Sequence, residues 1–173
     1  MSVGRDASNA GREAASRPVY VAVCGPDPAS EAVAAQAESV GRALARAGAV
    51  VVCGGLGGAM EAAAGGAVAE GGVVVGLLPG TDRSAANPHV TVALPTGMGE
   101  MRNALIVRAA DAVVAVAGEF GTLSEIALAL KAGKPVVGLG TWELTRASGD
   151  RADEIVRAAT PEEAVETALR LAR

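Results

Sequence analysis

Ala49-Val-Val-Val-Cys-Gly-Gly-Leu-Gly-Gly-Ala-Met60 is the stretch that decides the fold. Ala49 to Cys53 is short and wholly apolar, which predicts a strand covered on both faces. It runs directly into Gly54 to Gly58, and the alanine-rich stretch Ala59 to Glu70 then reads as a helix stopped by Gly71-Gly72. Strand, glycine loop and helix in that order form the first half of a parallel crossover unit.

The same alternation extends both ways. Upstream, Val19 to Cys24 is a strand broken by Gly25-Pro-Asp-Pro28, and Ser30 to Ala47 places Val33, Ala37, Val40 and Leu44 on one helix face until Gly48 ends it. Downstream, strands are expected at Val73 to Leu78, Val90 to Leu94, Asp111 to Val116 and Pro135 to Leu139, with a polar connection from Thr81 to Pro88. Helices are expected from Glu100 to Ala110 and from Leu123 to Ala132, and Trp142 to Asp150 reads as loop. Glu154 to Ala158 fits either an edge strand or a helical turn. Thr160-Pro-Glu-Glu163 combines an N-cap threonine, a proline at the first helical position and a glutamate closing a capping box, so a last helix runs to about Ala172. The sum is an α/β, Rossmann-like, doubly wound and mostly parallel sheet of about six or seven strands, with helices on both faces.

Composition narrows the function. The 173 residues suit one domain, expected over 18–173 behind a flexible tail at 1–17. Phe, Trp and Tyr occur once each and the formal net charge is -4, which disfavours base-stacking and phosphate-backbone binding of nucleic acid. His89 is the single histidine, so no site needing two imidazoles can be built within one subunit, and Cys24 and Cys53 are the only cysteines, too few for a Cys-rich zinc site or a disulfide framework. The tail lacks the apolar core of a signal peptide, and no segment offers an uninterrupted membrane span. A cytoplasmic protein, with no metal and no membrane partner, is expected.

In a doubly wound sheet, ligands sit beyond the carboxyl ends of the strands. Three glycine-rich loops are expected there: Gly54 to Gly58, Pro95 to Gly99 and Gly118 to Gly121. Glycines allow close backbone approach and a helix start favours an anion, although the same glycines equally serve tight turns and helix packing. The fingerprint of a dinucleotide fold is absent, because the glycines follow the second strand and no acidic residue ends it. A Walker loop would need Gly-Lys-Ser/Thr, which does not occur. Lys131 and Lys134, the only lysines, belong at the opposite edge of the sheet, which disfavours lysine-based catalysis.

Arg102 and Glu125 remain at the ligand edge. An arginine can fork onto a phosphate, and a carboxylate can stabilise a ribosyl cation or orient water. Each also has a simpler reading: Arg102 as a solvated first-turn side chain, and Glu125 as the end of a capping box, Thr122-Leu-Ser-Glu125. Cys24 and Cys53 end strands expected to be neighbours and could approach each other, or could be small core residues. Asp27 is placed to meet a sugar hydroxyl. His89 is expected to be structural or exposed.

At these residues the chain resembles the Lonely Guy superfamily, long mislabelled as lysine decarboxylases, with its Pro-Gly-Gly-x-Gly-Thr-x-x-Glu signature and upstream Arg-Lys pair. Here these read Ala117-Gly-Glu-Phe-Gly-Thr-Leu-Ser-Glu125 and Arg102-Asn103. The likeness is closest to a bacterial branch that includes proteins similar to molybdenum cofactor carriers, through Gly54-Gly-Leu-Gly-Gly-Ala-Met60, Gly76-Leu-Leu-Pro-Gly80, Asn87-Pro88 and Pro95-Thr-Gly-Met-Gly99. Ala117, Glu119, Asn103 and Glu100 depart from the superfamily's proline, second glycine, lysine and histidine.

The resemblance implies a phosphorylated, nucleotide-type or pterin-type ligand. Arg102 and Glu125 would be catalytic if the protein is a nucleoside 5'-monophosphate phosphoribohydrolase, releasing base and ribose 5-phosphate. Gly25, Gly54, Gly55, Gly57, Gly58, Met60, Thr96, Gly97, Asn103, Gly118, Gly121 and Thr122 are the candidate ligand contacts. The alternative is a non-catalytic molybdenum cofactor carrier or nucleotide-ligand sensor, with no required cofactor and the molybdenum cofactor as cargo. A homodimer or higher homo-oligomer is expected in either case, and a purely structural oligomer is a third reading.

Overall fold

The computed structural model describes residues 17–151 and 154–172. The expected tail lies, apart from Arg17, outside the described residues. Those residues build one seven-stranded parallel sheet in the order β4-β3-β2-β1-β5-β6-β7. The strands are β1 Tyr20–Cys24, β2 Val50–Cys53, β3 Val74–Leu78, β4 Val92–Pro95, β5 Ala112–Val116, β6 Val136–Leu139 and β7 Val156–Ala158. The helices are α1 Glu31–Arg46, α2 Gly58–Ala69, α3 Asn103–Ala109, α4 Phe120–Lys131 and α5 Pro161–Leu171. This is the α/β, Rossmann-like fold that the alternation of strands and helices predicts.

The winding reverses at β1, which pairs with β2 on one side and β5 on the other, Val21 lying opposite both Val51 and Ala112. Successive side chains of a strand point to opposite faces. Val21, Val23, Val51, Cys53, Val114 and Val116 therefore pack against α1, α2 and α5, while Ala22, Cys24, Val52, Val113 and Ala115 pack against α3 and α4. Cys24 and Cys53 consequently belong to core layers on opposite faces, and both are free thiols.

The largest fully buried side chains are Leu44, Leu78, Ile106 and Ile126, followed by valines, so no aromatic ring fills the core. Small side chains bring the helices close. A Cβ on Gly41 of α1 would lie 2.0 Å from the Ala63 carbonyl oxygen, and one on Gly66 of α2 would lie 2.1 Å from the Glu38 carbonyl oxygen. The backbones of α1 and α2 thus touch where they cross, and alanine at either position would force them apart.

Several boundaries differ from the sequence reading. The helix expected from Glu100 begins as a 3-10 turn, Gly99–Arg102, before α3. β4 begins later than expected because Thr91 completes the contact with Val74 through its hydroxyl, which accepts from the Val74 amide at 2.7 Å and donates to its carbonyl at 2.8 Å. Of the two readings of Glu154 to Ala158, the strand is realised, since Val156 pairs with Val137 and covers the edge of β6. The start of α5 is as expected: Thr160 Oγ1 accepts from the Glu163 amide at 3.2 Å, while the Glu163 carboxylate accepts from the Ala159 amide at 2.8 Å.

Among the described residues, no helix is long and apolar enough to cross a membrane. Nor is any group of three or more His, Cys, Asp or Glu placed to hold a metal ion.

Candidate functional site

A cleft of about 850 Å³ opens at the carboxyl edge of the sheet beside the reversal point. It is bordered by the loop after β1, the loop after β2, the 3-10 turn leading into α3, and the start of α4. Its size and position are those of a small-molecule site in an open parallel sheet.

Arg102 and Glu125 meet inside it. The guanidinium Nη1 lies 3.9 Å from Glu125 Oε1 and donates to Asn103 Oδ1 at 2.6 Å. Both residues are only 7% exposed, so the reading of Arg102 as a solvated side chain does not hold. Its Nε is buried and has no hydrogen-bond partner among the described residues. Behind it, a Cβ on Gly54 would stand 2.6 Å from Arg102 Nη2 and 2.7 Å from Met60 Sδ. The absence of a side chain at Gly54 is what lets the guanidinium lie there.

Asn103, where the Lonely Guy signature has lysine, orients this arginine. Its Oδ1 accepts from Arg102 and its Nδ2 donates to Ser124 Oγ at 2.9 Å, which in turn donates to the Gly121 carbonyl at 2.7 Å. A chain of three hydrogen bonds therefore fixes Arg102 relative to the first turn of α4.

That turn begins earlier than the sequence suggests. Gly118, at φ 137°, and Glu119, in extended conformation, lead into a helix that starts at Phe120. Thr122 and Glu125 thus stand within α4, both buried, and the capping-box reading of this pair is incorrect. The spacing that closes a capping box also places two residues on one helix face, and here it serves the second purpose. The N-cap residue Glu119 makes no side-chain cap, and the first residues of α4 border the cleft, so the positive end of its dipole lies at the cleft.

Ala117 adopts φ 49°, which proline could not, so the exchange at the head of the signature is tied to a different backbone path. The start of α2 is occupied instead: the Ala59 amide donates to the Pro26 carbonyl at 3.0 Å.

Burial pushes the Glu125 carboxyl up to about 7, against the opposing pull of the Cys24 thiol and the Arg102 guanidinium. Burial, reinforced by Glu125, also raises the Cys24 thiol well above its ordinary value, and Cys53 is pushed up to about 11, chiefly by burial. Both cysteines are therefore neutral near pH 7, and Glu125 is poised between its two forms.

Gly25, Met60, Arg102, Asn103, Gly121, Thr122 and Glu125 border the cleft, as does Asp27. The other expected contacts do not line it. Gly54 lies behind Arg102, Gly55 packs on Gly76 and Leu78, Gly57 and Gly58 pack on the loop at Pro26 and Asp27, and Gly118 packs on Thr122. Thr96 donates to the Leu78 carbonyl and Gly97 to the Gly80 carbonyl, so both hold a turn. His89 packs beside Gly65, away from the cleft. Met101 and Phe120 border the site without having been expected there. For Phe120 the signal available was its rarity, as the one phenylalanine of the chain, inside the signature.

The fold and the cleft together set a buried arginine beside the start of α4 at the carboxyl edge of a doubly wound sheet. The chain belongs to the SLOG cluster4 family, whose profile matches residues 18–165. An uncharacterized protein of Archaeoglobus fulgidus is 47% identical over 100 residues, spanning 58% of this chain and 66% of that relative's length. The molybdenum cofactor binding protein of the phototrophic bacterium Rippkaea orientalis superposes with a TM-score of 0.82 at 31% identity, covering 91% of this chain and 99% of the other. The molybdenum cofactor carrier protein of Chlamydomonas reinhardtii gives a TM-score of 0.78 at 33% identity, covering 90% and 98%.

Proposed function

We propose that the chain is a carrier that holds a phosphate-bearing pterin of the molybdenum cofactor type in this cleft. The observation that carries the reading is the Nε of Arg102, a buried donor without a partner on an arginine that borders the cleft. Leaving such a group unsatisfied is costly, and an anionic ligand in the cleft would recover that cost by drawing the guanidinium toward it. The open amides of α4 supply a second set of donors to the same anion. Glu125 then keeps the guanidinium in place when the cleft is empty. The likeness to two proteins named for binding or carrying the molybdenum cofactor supports pterin as the cargo class. A cytoplasmic location and a homodimer or higher homo-oligomer belong to this reading.

The test is purification of the full chain without oxygen, from cells that make the cofactor, followed by mass spectrometry of the released small molecules. A pterin bound to wild type and absent from Arg102→Ala supports the carrier. Recovery of none from wild type, with no uptake from a cofactor-rich extract, overturns it.

One observation favours phosphoribohydrolase activity as a second reading: a buried carboxylate with a pKa of about 7, beside an arginine, suits proton transfer near neutrality. The two named relatives give it less support than the carrier. Free base released from AMP or a cytokinin monophosphate by wild type but not by Glu125→Ala would establish it. The absence of release from both would remove it.

A further inference from the structure

Of the exposed large apolar side chains, Phe120 at 77% and Met101 at 73% stand furthest into solvent, and both border the same cleft. Each could gain free energy by burial elsewhere. Single exposed apolar residues are ordinary, but the two most exposed ones at the rim of one ligand-sized cleft are not a scattered pair.

Phe120 is also held from behind. Its ring centroid lies 5.7 Å from that of Trp142, with the planes inclined at 38°, and Trp142 itself packs against the core layer of α3 and α4. Two of the three aromatic residues of the chain are thus spent on one spot at the rim of the cleft rather than in the core. Phe120 is the first residue of α4, so its ring projects from the turn whose amides face the cleft. An apolar face and a set of anion donors therefore lie one residue apart.

We propose that Phe120, braced by Trp142, is the stacking platform for a planar fused heteroaromatic ring, of the purine or pterin class, carried by a phosphorylated ligand. This rests on the cleft being the ligand site proposed above. A ring lying on Phe120 would cover the apolar face that is now in water while the phosphate reaches Arg102 and the α4 amides. Aromatic stacking tolerates any flat ring, so Phe120 selects for a ring and does not choose between the two classes.

The experiment is equilibrium titration of the full chain with AMP, with neopterin monophosphate and with ribose 5-phosphate, the last carrying the phosphate without a ring. Wild type, Phe120→Ala and Phe120→Trp are compared, with the mass of each checked by light scattering. Phe120→Ala is expected to weaken at least one ring-bearing probe by roughly 5- to 150-fold, the range for loss of one base-stacking side chain. Ribose 5-phosphate should be unaffected, and Phe120→Trp should keep the wild-type affinities. The tighter of the two ring probes identifies the ring class.

Loss of affinity that is equal for ribose 5-phosphate and the ring probes overturns the platform, as does no loss at all. A fall in mass for Phe120→Ala with every probe lost also overturns it and assigns the ring to a contact between copies. If wild type binds none of the probes, the ligand cleft itself is overturned and the platform with it.

Discussion

Arg102 and Glu125 lie 3.9 Å apart in the cleft, both nearly excluded from water, yet the arginine keeps a buried Nε with no partner. The pair is an incomplete arrangement: its charges face each other, but one donor is left over. Replacing Arg102 by alanine should weaken a phosphate-bearing ligand by roughly 10- to 100-fold, the range for losing a charge-assisted hydrogen bond. Arg102→Lys should recover little of this, because an ammonium cannot reproduce the planar fork. Isothermal titration with wild type and the two variants measures both effects.

Glu125 links stability to pH in a direction opposite to that of most carboxylates. Its pKa rises from 4.5 to about 7 on folding. Between those values the folded state holds a proton that the unfolded state has released, so this group's contribution to stability is greatest below 4.5 and is lost as pH rises through 7. The slope approaches about 1.4 kcal/mol per pH unit inside the window. Urea denaturation of wild type against Glu125→Gln, from pH 5 to pH 8, should show this slope removed in the variant.

The same proton bears on binding. Sulfate does not titrate in this range, and its affinity for the cleft should rise as pH falls from 8 to 6, because a neutral Glu125 competes less for Arg102. Cys24 and Cys53 stay neutral throughout and cannot produce the effect. In Glu125→Gln the sulfate affinity should be flat with pH, which competition titrations can read.

Gly54→Ala tests the placement of the arginine without touching its chemistry. The added Cβ would lie 2.6 Å from Nη2 and 2.7 Å from Met60 Sδ, so the guanidinium must move. Overpacking of this kind costs roughly 1–3 kcal/mol where the neighbours are rigid. Arginine and methionine ends are flexible, so thermal stability should fall less than ligand affinity does. A variant that melts far below wild type but binds normally would contradict this.

Asn103→Ala and Ser124→Ala interrupt one hydrogen-bond chain at two points. Each should reduce ligand affinity by about 0.5–1.5 kcal/mol, and the double variant by little more than either alone, since both release the same arginine. A double-mutant cycle checks this, and full additivity would separate the two residues.

Much of the layout follows from patterns that physical chemistry ties to local structure. Wholly apolar runs such as Ala49 to Cys53 mark strands covered on both faces, and Gly48, Gly71 and Gly133 mark the ends of helices. The less legible parts are those where one pattern serves two purposes. Thr122 and Glu125 have the spacing of a cap and the spacing of a helix face, and only the conformations of Ala117 and Gly118 decide which. Glycine loops are equally ambiguous: Gly58 accommodates the Pro26 carbonyl, whereas Gly54 leaves room for Arg102. The room that Arg102 occupies is left by Gly54, in the loop after another strand, a relationship that spacing along the chain does not contain. The exposure of Phe120 is likewise a property of the assembled surface.

The chain has one tryptophan, and it leans on the residue at the lip of the cleft. Indole emission from this protein therefore comes from a single place, one ring behind the residue on which a ligand would lie. The protein reports on its own cleft without a label: occupancy, pH change and each substitution above can be followed in the light of Trp142 alone.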